Sequence, residues 1–200
     1  MCGGACGHDH ETGEDTIILK HIAVDKVRGL NTAGKPEDLR AVFKNYDNRT
    51  SDNPSVSSYE DDPEMIIHIP FTEQVKLRSF CIVGGGNGDA PSRVKLFVNS
   101  DNLDFSDAED RKAAQEFDLV EDFEGELWYK VNRNKFQNIN SLCIYIPDNH
   151  EGDKTTISYI GLKGEGTGVK KGVVHCKYEA IASVKDHKKL TEDNMGSSVL

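Results

Sequence analysis

Hydrophobic and polar residues alternate through residues 71–99, and this pattern predicts two half-buried strands joined by a glycine-rich loop. The apolar run 80–83 and Phe97 interrupt the alternation, so we expect both faces of the strands to be covered there, as at the centre of a sandwich. The loop at residues 84–89 is followed neither by a helix nor by Gly-Lys-Ser/Thr, which phosphate-binding loops require. We therefore interpret it as a hairpin loop.

Similar patterns predict further strands and two short helices along the chain. The predicted strands are residues 64–70 (ending at Pro70), 117–119, 126–131, 136–147, 155–162 and 173–181, and the predicted helices are residues 35–43 and about 107–115, the second capped by Ser106. No strand–helix–strand spacing that would indicate a parallel sheet occurs. We therefore predict an all-β fold, an antiparallel β-sandwich of the jelly-roll type with one or two short helices.

The ends of the chain differ in composition from its middle. We predict a flexible head at residues 1–19, one domain at residues 20–188 and a polar tail at residues 189–200. The head contains Cys2, Cys6, His8 and His10, whose thiolate and imidazole groups are good zinc or copper ligands. Their spacing is not that of a standard zinc finger, so a weak zinc site and a tail without metal are both open.

Charge and composition narrow the class of protein. The net charge of −10 disfavours nucleic acid as a partner, and no apolar run is long enough to predict a membrane span. The first fifteen residues lack the basic and apolar segments of a secretory signal. The five cysteines are an odd number, which argues against a complete disulfide framework. We expect a cytoplasmic protein, with the nucleus also open to it.

No catalytic motif stands out. Gly-x-Ser-x-Gly, His-Glu-x-x-His and nucleotide-binding loops are missing from the sequence, so we expect neither enzyme activity nor a cofactor. A jelly roll can also bind a ligand, for example a carbohydrate, through loops at one end of the sandwich. The candidate side chains for that alternative are Asn87, Asp89, Arg93, Asn132 and Arg133.

Several short motifs occur in an order that is specific to one family. They are Ile69-Pro70-Phe71 with Val75-Lys76-Leu77, Phe117-Asp118-Leu119 with Gly125-Glu126, Phe136-Gln137-Asn138-Ile139 with Ser141-Leu142, residues 159–165 (YIGLKGE) and Tyr178-Glu179-Ala180. This series resembles the PITH domain, the C-terminal proteasome-interacting module of a thioredoxin-like protein.

The resemblance implies a galactose-binding-like jelly roll and a non-catalytic interaction module. The implied partner is the proteasome, through its regulatory subunits, or a related regulatory complex. No thioredoxin domain precedes residue 20 and the sequence has no Cys-x-x-Cys pair, so we do not expect the redox activity of thioredoxin-linked relatives here.

Overall fold

The computed structural model describes residues 16–170, in which eight antiparallel strands and two short helices form the fold. The strands are β1 (Arg28–Leu30), β2 (Val56–Ser57), β3 (Met65–Gly84), β4 (Pro91–Val98), β5 (Gln115–Asp118), β6 (Tyr129–Lys130), β7 (Ile139–Asn149) and β8 (Thr156–Gly166); the helices are α1 (Pro36–Ala41) and α2 (Phe105–Asp110). None of the helices in the described residues is long and apolar enough to cross a membrane.

The long strand β3 connects two sheets. Its first half pairs with β1 and β7, and its second half pairs with β6 and β8. The register shifts between Pro70 and Val75, where the strand passes from the first sheet (β1, β3, β7, β4, β5) to the second (β2, β8, β3, β6). The predicted all-β antiparallel sandwich is confirmed.

Alternation along β3 places apolar side chains both between the sheets and on their outer faces. Ile67 and Ile69 lie in the central core, as does Phe80 in the second half. The outer face of the first sheet carries Ile66, His68 and Cys143 and is covered by the segment that contains α2. The outer face of the second sheet carries Cys81, Val83 and Tyr159, packed beneath Tyr46 and Trp128. The prediction that both faces of residues 80–83 are covered is confirmed.

The predicted end of a strand at Pro70 is wrong. β3 continues through this residue because β1 pairs only as far as His68, so the missing proline N–H breaks no bond on that side. The Pro70 carbonyl accepts a hydrogen bond from the Ala23 amide at 2.9 Å. Proline therefore marks a bend between sheets here.

The predicted hairpin at residues 84–89 is also wrong. β3 and β4 belong to different sheets at this point, so the loop crosses the sandwich. A Cβ on Gly84 would lie 2.5 Å from the Ala90 Cβ, so glycine allows the close approach at this crossing.

Helix α2 begins earlier than predicted. Its N-cap is Asp104, whose carboxylate accepts a hydrogen bond from the Asp107 amide at 2.8 Å, so Ser106 is not the cap. The helix ends before Arg111, where the chain becomes extended and continues towards β5. The predicted strand at residues 173–181 lies outside the described residues.

Candidate interaction surface

Residues 119–128 connect β5 to β6, and we call residues 119–127 the exposed loop. Val120, Phe123 and Leu127 are 67%, 50% and 41% exposed, respectively. They account for three of the six large apolar side chains that are exposed in residues 16–170. Scattered exposed apolar residues are normal, but a concentration of them on one loop indicates a contact surface.

Asp122 organises the backbone of the exposed loop. Its side chain is buried, and one carboxylate oxygen accepts hydrogen bonds from the Glu124 amide at 3.0 Å and the Gly125 amide at 2.7 Å. The other oxygen accepts a hydrogen bond from the Leu127 amide at 2.9 Å. Charge-assisted bonds of this kind are stronger than neutral ones, so a single carboxylate fixes the loop from inside.

Two further contacts tie the loop to the sandwich. The Val120 amide donates to the Tyr129 hydroxyl at 2.9 Å, and the Arg49 Nε donates to the Glu124 carbonyl at 2.7 Å. The Arg49 guanidinium also lies 4.0 Å from the centre of the Tyr46 ring. The apolar side chains therefore project from a backbone that is held along its length.

Glycine is required at position 125. The residue has a φ of +70°, a conformation that side chains with a Cβ rarely adopt. A Cβ there would lie 2.8 Å from the Arg49 Cδ and 3.1 Å from the Val83 Cγ2. Gly125 thus lets the loop lie directly on Arg49 and on the second sheet.

The exposed loop is strongly acidic as well as apolar. Residues 119–127 contain four carboxylates and no lysine or arginine. Asp122 is turned inwards, whereas Glu121, Glu124 and Glu126 are exposed. The surface therefore presents apolar side chains among negative charges.

The buried thiol beneath this loop is chemically inert. The Cys81 Sγ lies 3.9 Å from the Asp122 Oδ2, and burial, with this carboxylate, raises the pKa of Cys81 to about 12. On the opposite face, burial and the Asp101 carboxylate likewise raise the pKa of Cys143 to about 12. Both side chains are neutral thiols near neutral pH, and a neutral thiol is a poor nucleophile.

A second candidate is a groove of about 710 Å³ that includes His68, Asp101 and Ser141. The Asp101 carboxylate accepts a hydrogen bond from the Ser141 hydroxyl at 2.6 Å and lies 3.3 Å from the His68 Nε2. Arg28 donates to the Asp101 carbonyl. These polar groups hold each other in place, and Asp101 lies between Ser141 and His68, whereas a hydrolase triad has the histidine between the serine and the carboxylate.

The proposed carbohydrate-binding residues are not brought together. Asn87 and Asp89 line an acidic pocket of about 400 Å³ where β3 ends. Arg93 lies on β4 and pairs with Asp118. Asn132 is bonded to Gln115 at the start of β5, towards the opposite end of the sandwich, and Arg133 follows it in the chain. A single ligand site built from these five side chains is therefore wrong.

The predicted zinc ligands Cys2, Cys6, His8 and His10 lie outside the described residues, so the zinc site stays a prediction. Within residues 16–170 no group of three or more His, Cys, Asp or Glu side chains could hold a metal ion.

Comparison with known proteins identifies the family. The family model of the PITH domain matches residues 8–182. The chain belongs to the PITH domain family. It is 39% identical over 172 residues to PITH domain-containing protein 1 of Homo sapiens, covering 86% of this chain and 80% of the human protein. It is 34% identical over 181 residues to the Dictyostelium discoideum protein of the same name, covering 90% and 89%.

Solved structures confirm the fold. The tandem carbohydrate-binding modules CBM32-1 and CBM32-2 of Clostridium perfringens ZmpB, in complex with GalNAc, match with a TM-score of 0.52 at 7% identity. The match covers 74% of this chain and 35% of that chain. At this identity the likeness concerns the fold alone, which is the galactose-binding-like jelly roll expected for the PITH family.

The hydrophobic pattern of the sequence did not predict that residues 119–127 form an exposed surface loop. Residues 126–131 were predicted as one strand, but only Tyr129 and Lys130 form it, since Leu127 belongs to the loop. The available signal was the sequence 119–127 (LVEDFEGEL), in which bulky apolar residues stand among acids and Gly125 follows Asp122 by three positions. Such an Asp-x-x-Gly segment is typical of a turn organised by its own side chain.

Proposed function

We propose that this PITH domain protein is a non-catalytic interaction module that associates with the proteasome through its regulatory subunits. Membership of the PITH family supports the choice of partner, because the sequence resembles the proteasome-interacting module of a thioredoxin-like protein. The observation that carries a binding role is the exposed loop, whose apolar side chains project from a backbone held by Asp122.

The geometry of the exposed loop suits binding to a partner better than catalysis. Aromatic side chains on a fixed backbone are typical binding anchors, because little conformational entropy is lost when a partner covers them. In the described residues, both cysteines are neutral thiols and Asp122 is committed to backbone amides. These features favour a docking module over an enzyme.

The same proposal specifies the class of partner and the compartment. The partner is a protein assembly, since the net charge of −10 opposes binding to nucleic acid. Proteasome association also requires a cytoplasmic or nuclear location.

Binding to purified proteasome tests this function. The full chain is mixed with intact proteasome, and separately with isolated core and regulatory particles, and each mixture is fractionated by gradient sedimentation. We expect the chain to co-sediment with the intact and the regulatory particles. A carbohydrate-binding module of the same fold serves as the control. A chain that sediments alone at both low and physiological salt would contradict the proposal.

A further inference from the structure

We infer that the exposed loop is the docking surface itself, and that its partner presents an apolar pocket rimmed by lysine or arginine side chains. This inference rests on the proposed function for the partner's identity. The chemical nature of the partner's binding site is inferred from the apolar and acidic side chains of the exposed loop.

The apolar part of the surface is a preformed feature of the free domain. Phe123 is half exposed although its neighbour Asp122 is buried and bonded to three or more amides of the same loop. An apolar side chain on a mobile loop could fold back onto the protein, but this backbone is held by Asp122 and Arg49. A preorganised aromatic anchor of this kind fits a pocket on the partner.

The charged part of the surface defines the rim of that pocket. Glu121, Glu124 and Glu126 are exposed on the same loop as the apolar side chains, and residues 119–127 contain no lysine or arginine. The neighbouring Arg49 donates to the Glu124 carbonyl and lies over the Tyr46 ring. Carboxylates at the edge of an interface are matched by cations on the partner, which speed encounter and fix the orientation. The contact should therefore weaken as salt is added.

The same charges disfavour two other occupants. A second copy of this chain meeting through a two-fold contact would place one acidic loop against another. An anionic membrane surface would repel the loop for the same reason. A basic-rimmed pocket on another protein is the occupant with complementary charge.

Site-specific photocrosslinking tests this assignment. A benzophenone amino acid replaces Phe123 in the full chain, and in a matched control it replaces Tyr59, which is 59% exposed on a different segment. Both proteins are irradiated with purified proteasome and, separately, in cytosolic extract, and the crosslinked peptides are sequenced by mass spectrometry. We expect position 123 to crosslink strongly to a regulatory subunit peptide with lysine or arginine beside apolar residues. Position 59 should not crosslink.

Each other outcome separates the two proposals. Crosslinking from position 123 to an identified protein outside the proteasome, with the same basic and apolar chemistry, would support the surface and overturn the proteasome assignment. Binding to the proteasome without a crosslink from position 123 would overturn the surface and leave the function standing. No crosslinked partner, or only a second copy of this chain, would overturn the surface.

A charge variant tests the rim separately. The triple variant Glu121→Gln, Glu124→Gln, Glu126→Gln should bind about tenfold more weakly at low salt and lose most of its salt dependence. The matched control is Glu37→Gln, Glu109→Gln, Asp110→Asn, which removes the same charge from exposed positions in or near α1 and α2. Equal loss of binding in both variants would show that net charge, and not this rim, is recognised, and would overturn the basic-rim chemistry.

Discussion

Two loops on opposite faces of the sandwich are each held by a side-chain oxygen that accepts backbone hydrogen bonds, but they place their apolar side chains differently. Residues 99–104, which we call the covered loop, lie over Cys143, and the exposed loop lies over Cys81. In the covered loop, the Asn99 side-chain oxygen accepts a hydrogen bond from the Asn140 amide at 2.7 Å. In the exposed loop, Asp122 plays the corresponding part for its own amides.

The two loops differ in where their apolar side chains go. Leu103 of the covered loop is only 6% exposed and packs in the outer cluster with Ala108, whereas Val120 and Phe123 are at least half exposed. Full burial of such a side chain stabilises a protein by about 1.5–3 kcal/mol, which the exposed loop forgoes. Order alone therefore does not account for the exposure of Phe123, and this is the observation that motivates the proposed contact surface.

The largest effect on stability is expected from Asp122→Ala. Removal of this carboxylate leaves several loop amides without an acceptor, including the buried amide of Gly125, at a cost of about 4 kcal/mol in the free energy of unfolding. Urea unfolding followed by circular dichroism measures the change. Asp122→Asn keeps one acceptor oxygen and should lose less. A near-neutral Asp122→Ala would mean that the carboxylate does not hold the loop.

A somewhat smaller loss, about 3 kcal/mol, is expected for Leu103→Ala, because this side chain is buried in the outer cluster and its removal leaves a cavity. The same urea titration checks it. If Leu103→Ala is as mild as truncation of Phe123, the contrast between the covered and the exposed loop fails.

Alkaline pH should lower the free energy of unfolding through the two buried thiols, Cys81 and Cys143. The folded pKa of Cys81 and of Cys143 is raised to about 12, above the ordinary value of 9.0, so the folded state holds these protons longer than the unfolded state does. The stability is therefore intact below about pH 9 and falls above it, by about 1 kcal/mol per thiol at about pH 10. Unfolding titrations at several pH values measure the slope, which Cys81→Ala and Cys143→Ala should each make shallower. If the slope is unchanged in both variants, burial does not raise the pKa of these two thiols.

The smallest effect on stability is expected from Phe123→Ser. Half of this side chain is already in solvent, so the free energy of unfolding should fall by no more than about 1 kcal/mol. Thermal and urea unfolding against wild type provide the measurement. A loss as large as that of Leu103→Ala would show that Phe123 is part of the core.

The sequence predicted the strands where alternation is strong and failed where tertiary contacts decide. The alternation at Val94, Leu96 and Val98 located β4, and the run 80–83 correctly indicated coverage on both faces. Pro70 was misleading because a proline ends a strand only where its missing N–H would be needed, and that depends on how far β1 extends. The paths of β3 and β4 into different sheets are not encoded in a local pattern.

The candidate surface was harder to predict than the fold. Its apolar residues continue the pattern of a strand, and only the burial of Asp122 distinguishes a loop that presents them from a strand that hides them. The loop is also placed by Arg49 and Val83, which are distant in sequence and which lie against Gly125. The predicted ligand site from Asn87 to Arg133 was wrong for the same reason. Strand pairing decides which loops meet at each end of the sandwich, and a local sequence pattern does not contain that pairing.

The most direct test compares affinity with stability in one double variant of the full chain. The dissociation constant for purified proteasome regulatory particle is measured for wild type, for Val120→Ser/Phe123→Ser and for the control Tyr59→Ser, alongside the unfolding midpoint of each. We expect the double variant to bind at least about tenfold more weakly while it remains fully folded under the binding conditions, and the control to bind as wild type does. Wild-type affinity in a folded double variant would contradict the exposed loop as the docking surface.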